Sequence, residues 1–339
     1  MTANVAVDTA GVPTSSRTRR WQRVLREPIA SICLLFIALQ LICIAAGLLF
    51  PDDFRYLSAS NIGLLQRAIP IIGIVALGVG LLMITGEYDL SVGSVYTLAG
   101  YCMALLYGAG VPPLAALFAT MLLGVAIGVA NGLVTVKTAI PSFIATMGSM
   151  LVVRGLVRWL SEAGAVSFRP DPAFARVFTG SVFGIEAPFL WFLLLAGLSA
   201  LLLHRSKLGN HMVLVGGSEK TARAVGIDTH KVKIAAFALS GLAAALAGIL
   251  SVTRVGTATP AQGLGMELRA IAVCVIGGLF LSGGRGTVLG IVVGACLLYM
   301  VEDVLLLLRA PGFYLDVFVG AILVIAVIAN TSLARRSAR

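Results

Sequence analysis

The groups in this chain whose type and setting could do chemistry are carboxylates and hydroxylated side chains placed among apolar runs. Asp89 lies in Gly86–Ser94 (GEYDLSVGS), with apolar stretches on either side. An ionised carboxylate at membrane depth is costly and is kept there by a function or by a partner. Two readings stand side by side. One is a gate or pathway group in a broken helix, as in other discontinuous transporter helices; the other is a turn or cap carboxylate at the headgroup level. Ser91, Asn131, Ser142, Thr146 and Ser149 lie on or near apolar runs. Such residues either line a pathway for a hydroxylated solute or hydrogen-bond between helices. Glu302 and Asp303 sit in a further apolar run. Carboxylates so placed carry protons in gradient-driven transporters, while pairing near the outer interface, beside Arg309, is the simpler account. Arg154, Arg158 and Glu162 have the i, i+4 spacing of a salt-bridged helix end.

Two stretches imitate nucleotide-binding sequences and fail on inspection. Gly216–Thr221 (GGSEKT) ends in Lys-Thr like a phosphate-binding loop, but Glu219 stands where a glycine must precede the lysine, and its carboxylate would repel phosphate. Leu281–Arg285 (LSGGR) resembles an ATPase signature segment, yet it lies between runs of membrane length, with no phosphate-binding loop elsewhere. It reads as a tight Gly-rich turn with Arg285 at the headgroups. Cys33, Cys43, Cys102, Cys274 and Cys296 all lie in apolar runs without a C-x-x-C pair, as small packing residues do. His204, His211 and His230 lack metal-ligand spacing. A membrane-embedded hydrolase has no G-x-S-x-G elbow to support it. No catalytic, metal or cofactor site is expected on this chain.

The elements that must position these groups are membrane spans. Hydrophobic residues make up 59% of the 339 residues and charged residues 12%, against roughly 25% charged in ordinary soluble proteins. So few charges cannot cover a water-facing surface of this size, and a disulfide scaffold or disordered chain is excluded with it. The 38 glycines suit helices whose backbones approach closely in a bilayer. The net charge of +10 is confined to an arm (Arg17 to Arg26), a central loop (Arg205 to Lys233) and a short tail, without interleaved aromatics. That distribution fits the positive-inside rule and not nucleic-acid binding.

Pro28–Phe50 carries no charge and is long enough to span a bilayer. Behind a basic arm it reads as a retained first span with its N-terminus inside. Further apolar stretches follow at about 68–85, 90–107, 112–136, 140–160, 188–203, 234–252, 270–281, 288–308 and 313–329. Alternation then places every basic cluster on one side and both termini in the cytoplasm. The expected fold is an all-α polytopic membrane protein of about ten transmembrane helices. Its parts are a basic arm (1–27), a transmembrane domain (28–331) with a cytoplasmic loop (204–233), and a basic tail (332–339). With no soluble domain of useful size, the energy source is a membrane gradient or a separate subunit.

The central loop holds a short helix signal. Ser218 is an N-cap candidate, Glu219 favours the first turn, and Gly226 stops a helix running to Val225. Such a helix is either a surface element or one that docks into a partner's groove. Its surroundings, Gly209–Gly248 (GNHMVLVGGSEKTARAVGIDTHKVKIAAFALSGLAAALAG), resemble the coupling-loop region of ribose/xylose/galactoside-type ABC transporter permeases. Gly86–Ser94, Asn131–Gly155 (NGLVTVKTAIPSFIATMGSMLVVRG) and Thr257–Gly290 (TATPAQGLGMELRAIAVCVIGGLFLSGGRGTVLG) match the same family in order.

The resemblance implies a type II importer-like permease of the bacterial inner membrane, carrying a monosaccharide, polyol or similar hydroxylated solute. It implies a second permease copy or paralogue, a cytoplasmic ABC ATPase that binds ATP and Mg, and a periplasmic or lipid-anchored solute-binding protein. Carried onto this sequence, Ser218, Glu219, Ala222, Arg223, Gly226 and Ile227 form the coupling helix, its small residues letting it seat deeply in the ATPase. Glu87-Tyr88, Met266 and Arg269 depart from the family pattern. They bear on solute preference and on the outer gate. The rival readings are a gradient-driven secondary transporter and a permease for branched-chain amino acids.

Overall fold

A computed structural model describes residues 28–311 except 163, together with 313, 314, 317–321, 324, 325 and 328. The basic arm, the tail, Asp316 and much of the expected last span lie outside the described residues. The apolar runs form helices, as lipid demands of a chain whose backbone polar groups have no water to bond. They are α1 (Pro28–Leu49), α2 (Ala59–Ile84), α3 (Val92–Gly108), α4 (Pro113–Thr138) and α5 (Ser142–Leu160). An outlying stretch follows, with β1 (Val166–Ser167), α6 (Pro172–Thr179) and the hairpin β2 (Ser181–Val182) and β3 (Ile185–Glu186). Then come α7 (Ala187–Arg205), α8 (Lys207–Gly217), α9 (Glu219–Ala224), α10 (Thr229–Val255), β4 (Thr257–Ala258), α11 (Met266–Ile276) and α12 (Val288–Leu307). β1 pairs antiparallel with β4, and β2 with β3.

Among the described residues, seven helices are long and apolar enough to cross a membrane, and α3 is a shorter apolar helix. α2 differs from its expected start by about nine residues. Ser58 caps it by accepting a hydrogen bond from the Asn61 N–H, and its polar first turns (Ser60, Asn61, Gln66, Arg67) hide it from a hydropathy reading. α11 is shorter than the expected 270–281 run, ending at Ile276 before Gly277 and Gly278, the latter in the left-handed region.

α10 and α2 make the centre. α10 packs along α4, α2 and α3, and α2 is buried from Ile69 to Ile84. Glycine permits the α4–α10 approach: a Cβ on Gly128 would overlap the Phe237 carbonyl oxygen, and one on Gly241 that of Gly124. By contrast α1, α4 and α5 turn Leu41, Leu122, Leu151 and Val152 outward, as lipid-facing or subunit-facing helices do.

Candidate functional site

The site begins where α2 stops. Thr85 caps α2, Gly86 turns the chain at φ +85°, and the backbone stays non-helical until α3 starts at Val92. A break at this depth frees backbone donors that must find acceptors, and side chains supply them. Ser142 Oγ accepts from the Tyr88 N–H (3.1 Å), and Thr146 Oγ1 from the Leu90 N–H (3.0 Å). Asp89, 1% exposed, accepts on one oxygen from the Ser91 N–H (2.9 Å) and the Ser91 hydroxyl (2.6 Å). Its other oxygen accepts from Ser240 Oγ on α10 (3.0 Å). Asn131 Nδ2 on α4 donates in turn to Ser91 Oγ (2.9 Å).

Five of the six pathway candidates, Asp89, Ser91, Asn131, Ser142 and Thr146, thus come together around one broken helix. They are buried and engaged with backbone and with one another, and so hold the break. Asp89 is thus a turn carboxylate in the non-helical segment between α2 and α3. Ser149, farther along α5, is half-buried and outside this network.

At the same end of the bundle stands the loop helix. Ser218 Oγ accepts from the Thr221 N–H (3.3 Å), α9 runs Glu219–Ala224, and Gly226 ends it at φ +85°. Arg223 Nη2 reaches Glu219 at 2.5 Å and Arg223 Nε donates to Thr229 Oγ1 at 3.0 Å. Thr229 Oγ1 donates to Glu219 (3.2 Å), and Lys233 Nζ to its other oxygen (2.8 Å). Burial alone would raise the Glu219 pKa. The bond and charge of Lys233, with Arg223 and Thr229, outweigh burial and lower it to about 2. Asp228, the cap of α10, is held below its ordinary value by the Lys231 N–H and side chain.

One residue of this helix faces inward. Ala222 is 2% exposed and belongs to the chain's own core, against which Ile227 also packs. In a helix this short the small residue at the inward position is taken by its own bundle. Lys220, Thr221, Ala224 and Val225 make the outward face.

The Gly-rich turn closes the junction. The Gly284 N–H donates to the Ile84 carbonyl (2.9 Å), the Tyr88 hydroxyl donates to the Leu281 carbonyl, and Gly283 and Gly284 have left-handed φ. A Cβ on Gly216 would overlap the Ile84 oxygen. Leu281–Arg285 therefore wedges between the ends of α2 and α8, and Arg285 lies over the Phe280 ring at 5.6 Å.

Toward the other end the acidic pair of α12 is tied down differently from expectation. Arg269, 3.5 Å away, pairs with Glu302, and Asn61 Nδ2 donates to Asp303 (2.8 Å). Arg309 has left-handed φ beyond α12. Glu162 likewise lies past the end of α5 with φ +48°. Among the described residues no ion pair joins it to Arg158 or Arg154, because the left-handed residue leaves the helical register. Sequence reasoning missed Lys233, Thr229 and Ser240 as site residues. The signal available was their recurrence on one α10 face, at positions four and seven apart.

A bundle of membrane-length helices, with a stitched break in its centre and a capped loop helix tied to that break, is the architecture of a membrane-embedded protein. A family model described as branched-chain amino acid transport system / permease component matches residues 61–327, and the chain belongs to that family. It is 35% identical over 289 residues to the autoinducer 2 import system permease protein LsrC of Salmonella paratyphi B, covering 84% of this chain and 83% of the relative. The same protein of Salmonella typhimurium matches to the same extent. The ribose import permease protein RbsC of Escherichia coli K12 is 34% identical over 298 residues, covering 87% and 92%. No solved structure matches. The chain is thus a multi-pass inner-membrane permease and not an enzyme, and its family implies an ATPase subunit and a solute-binding protein as partners.

Proposed function

We propose that this chain is the membrane pathway of an ATP-driven importer for a monosaccharide, polyol or similar small hydroxylated solute. The likeness to ribose and autoinducer 2 import permeases over more than four-fifths of the chain carries the solute class. The loop helix supports the energy source: it is capped, charge-anchored to the bundle and open on its outer face. In this reading the chain has ten spans with both termini cytoplasmic, divided as 1–27, 28–331 and 332–339, with 204–233 as coupling loop. Two permeases, this chain twice or with a paralogue, enclose the pathway. ATP and Mg are held by the ATPase, and a periplasmic or lipid-anchored protein delivers solute. Asp89, Ser91, Asn131, Ser142 and Thr146 position the broken helix beside the pathway, and Ser218, Glu219, Ala222, Arg223, Gly226 and Ile227 form the coupling element.

The test is uptake of labelled ribose by proteoliposomes holding the importer assembled with its ATPase and binding protein. Uptake that needs ATP and survives an uncoupler is expected. Uptake by the chain alone, driven by an ion gradient and abolished by the uncoupler, overturns the reading. The family description favours one alternative, a branched-chain amino acid as solute. Displacement of bound ligand from the binding protein by leucine, and not by ribose, would establish it.

A further inference from the structure

The Glu219–Lys233–Glu87 cluster joins two parts of the molecule that sequence places far apart. Lys233 Nζ lies 2.6 Å from a Glu87 oxygen and 2.8 Å from a Glu219 oxygen. Glu87 belongs to the non-helical break after α2, Glu219 to the loop helix, and Lys233 to the first turns of α10. The side chains of Lys233 and Glu87 are each 13% exposed, so this is no loose surface pair of the kind that contributes little. An ammonium has three donors and no acceptor, and here it serves carboxylates on both sides at once.

α10 holds each of those parts at a second point. Thr229, one turn before Lys233, donates to Glu219 (3.2 Å). Ser240, two turns beyond Lys233, donates to Asp89 (3.0 Å). Positions 229, 233 and 240 share one helix face, so one rod grips the loop helix at its start and the broken helix at two points.

The geometry points to Lys233 as a positioning residue that transmits displacement of the loop helix to the break at 86–91, through the ion pair with Glu87. The assignment rests on the ATPase-coupling reading of α9. It adds a specific route, and it gives Glu87, a departure from the family pattern, a role in coupling in place of solute choice. When α9 moves, Lys233 and α10 move with it. The break follows because Glu87 and Asp89 are held by the same helix.

Amide hydrogen exchange on the assembled importer, with and without a non-hydrolysable ATP analogue, tests this without knowledge of the solute. The Tyr88 and Leu90 amides are held by Ser142 and Thr146, so their exchange reports the break directly. In the wild type, nucleotide is expected to change exchange at 219–224 and, by about tenfold, at 88 and 90, a magnitude within the usual range of site-to-site coupling. In the isosteric Glu87→Gln the response at 219–224 persists and that at 88 and 90 falls severalfold, the Ser240–Asp89 contact remaining. Lys233→Met behaves alike, and Lys233→Arg restores the response. Glu219→Gln, altered at a more exposed position, loses it from the other end.

Retention of the full response at 88 and 90 in Glu87→Gln overturns the relay. So does faster exchange there by the same factor with and without nucleotide, the mark of a purely structural pair. Absence of any nucleotide response at 219–224 in the wild type overturns the coupling reading itself, a separate outcome.

Discussion

Asp89 owes its place to what it accepts. Three hydrogen bonds from Ser91 and Ser240 converge on a carboxylate with almost no exposure. Asp89→Ala leaves two hydroxyls and one amide N–H without that acceptor, at roughly 1–3 kcal/mol each. A loss of at least about 3 kcal/mol is expected in denaturant unfolding of the detergent-purified protein. Asp89→Asn keeps one carbonyl acceptor and loses less; equal losses for the two variants would mean that charge, not acceptance, matters here. Glu219 makes a different prediction because it titrates. Its folded value of about 2 lies below its ordinary 4.5. A depressed acid contributes stability that is fully present above its unfolded value and is lost as pH falls through the folded one. The difference in melting temperature between wild type and Glu219→Gln is therefore expected to be constant from about pH 7 to 5. It shrinks below that and vanishes near about pH 2. A difference that instead disappears between pH 7 and 5 would assign it to another group.

Among the elements, close packing at glycine decides what the chain tolerates. Gly216 and Gly217 are neighbours with opposite surroundings. A Cβ on Gly216 meets the end of α2 and the Gly284 amide, whereas one on Gly217 meets nothing. Gly216→Ala is expected to destabilise by about 1–3 kcal/mol, as overpacking does. Gly217→Ala should stay within about 1 kcal/mol of wild type, a Gly-to-Ala change in a helix being small or favourable. Thermal unfolding of the pair in one detergent checks both, and equal midpoints would count against the junction described. The seven helices long and apolar enough to cross a membrane among the described residues were legible in the sequence because lipid requires long apolar runs and little else. The start of α2 was not, since its cap and polar turns carry no hydropathy. The types in the break, Asp89 with Ser91, Ser142 and Thr146, were readable as candidates, and the Ser218 cap and Gly226 stop were readable as a helix. What brings Glu87 to Lys233, and Asp89 to Ser240, is the approach of α10 to the end of α2, and a pairing across about 150 residues leaves no local pattern. The burial of Ala222 was illegible for a related reason: a small residue suits a partner's groove and the chain's own core equally.

At the scale of the whole molecule, the loop helix has two sides, one packed on its own bundle and one exposed. The packed side is Ala222, Glu219 and Ile227. The exposed side includes Val225, 67% exposed, and Leu214 on α8, 51% exposed. These apolar residues stand in the basic loop beside Lys220 and Arg223, outside the helices that lipid would cover. Single exposed apolar residues are common, so their meaning rests on experiment. Val225→Glu removes no contact with the core and is expected to leave the melting temperature of the isolated chain nearly unchanged, as surface substitutions do within about 0.5 kcal/mol. If this face seats in the ATPase, the same substitution places a carboxylate in a contact of the kind where single residues cost 2 kcal/mol or more, about thirtyfold in affinity. Co-purification of the ATPase and ATP-dependent uptake should then both fall. Ala222→Leu should do the reverse, lowering the melting temperature of the isolated chain through overpacking while any ATPase still bound to folded protein binds with near-normal affinity. A stable Val225→Glu protein that keeps its ATPase and transports normally would show that the partner grips some other surface. The capped helix would then be only an internal brace between α8 and α10.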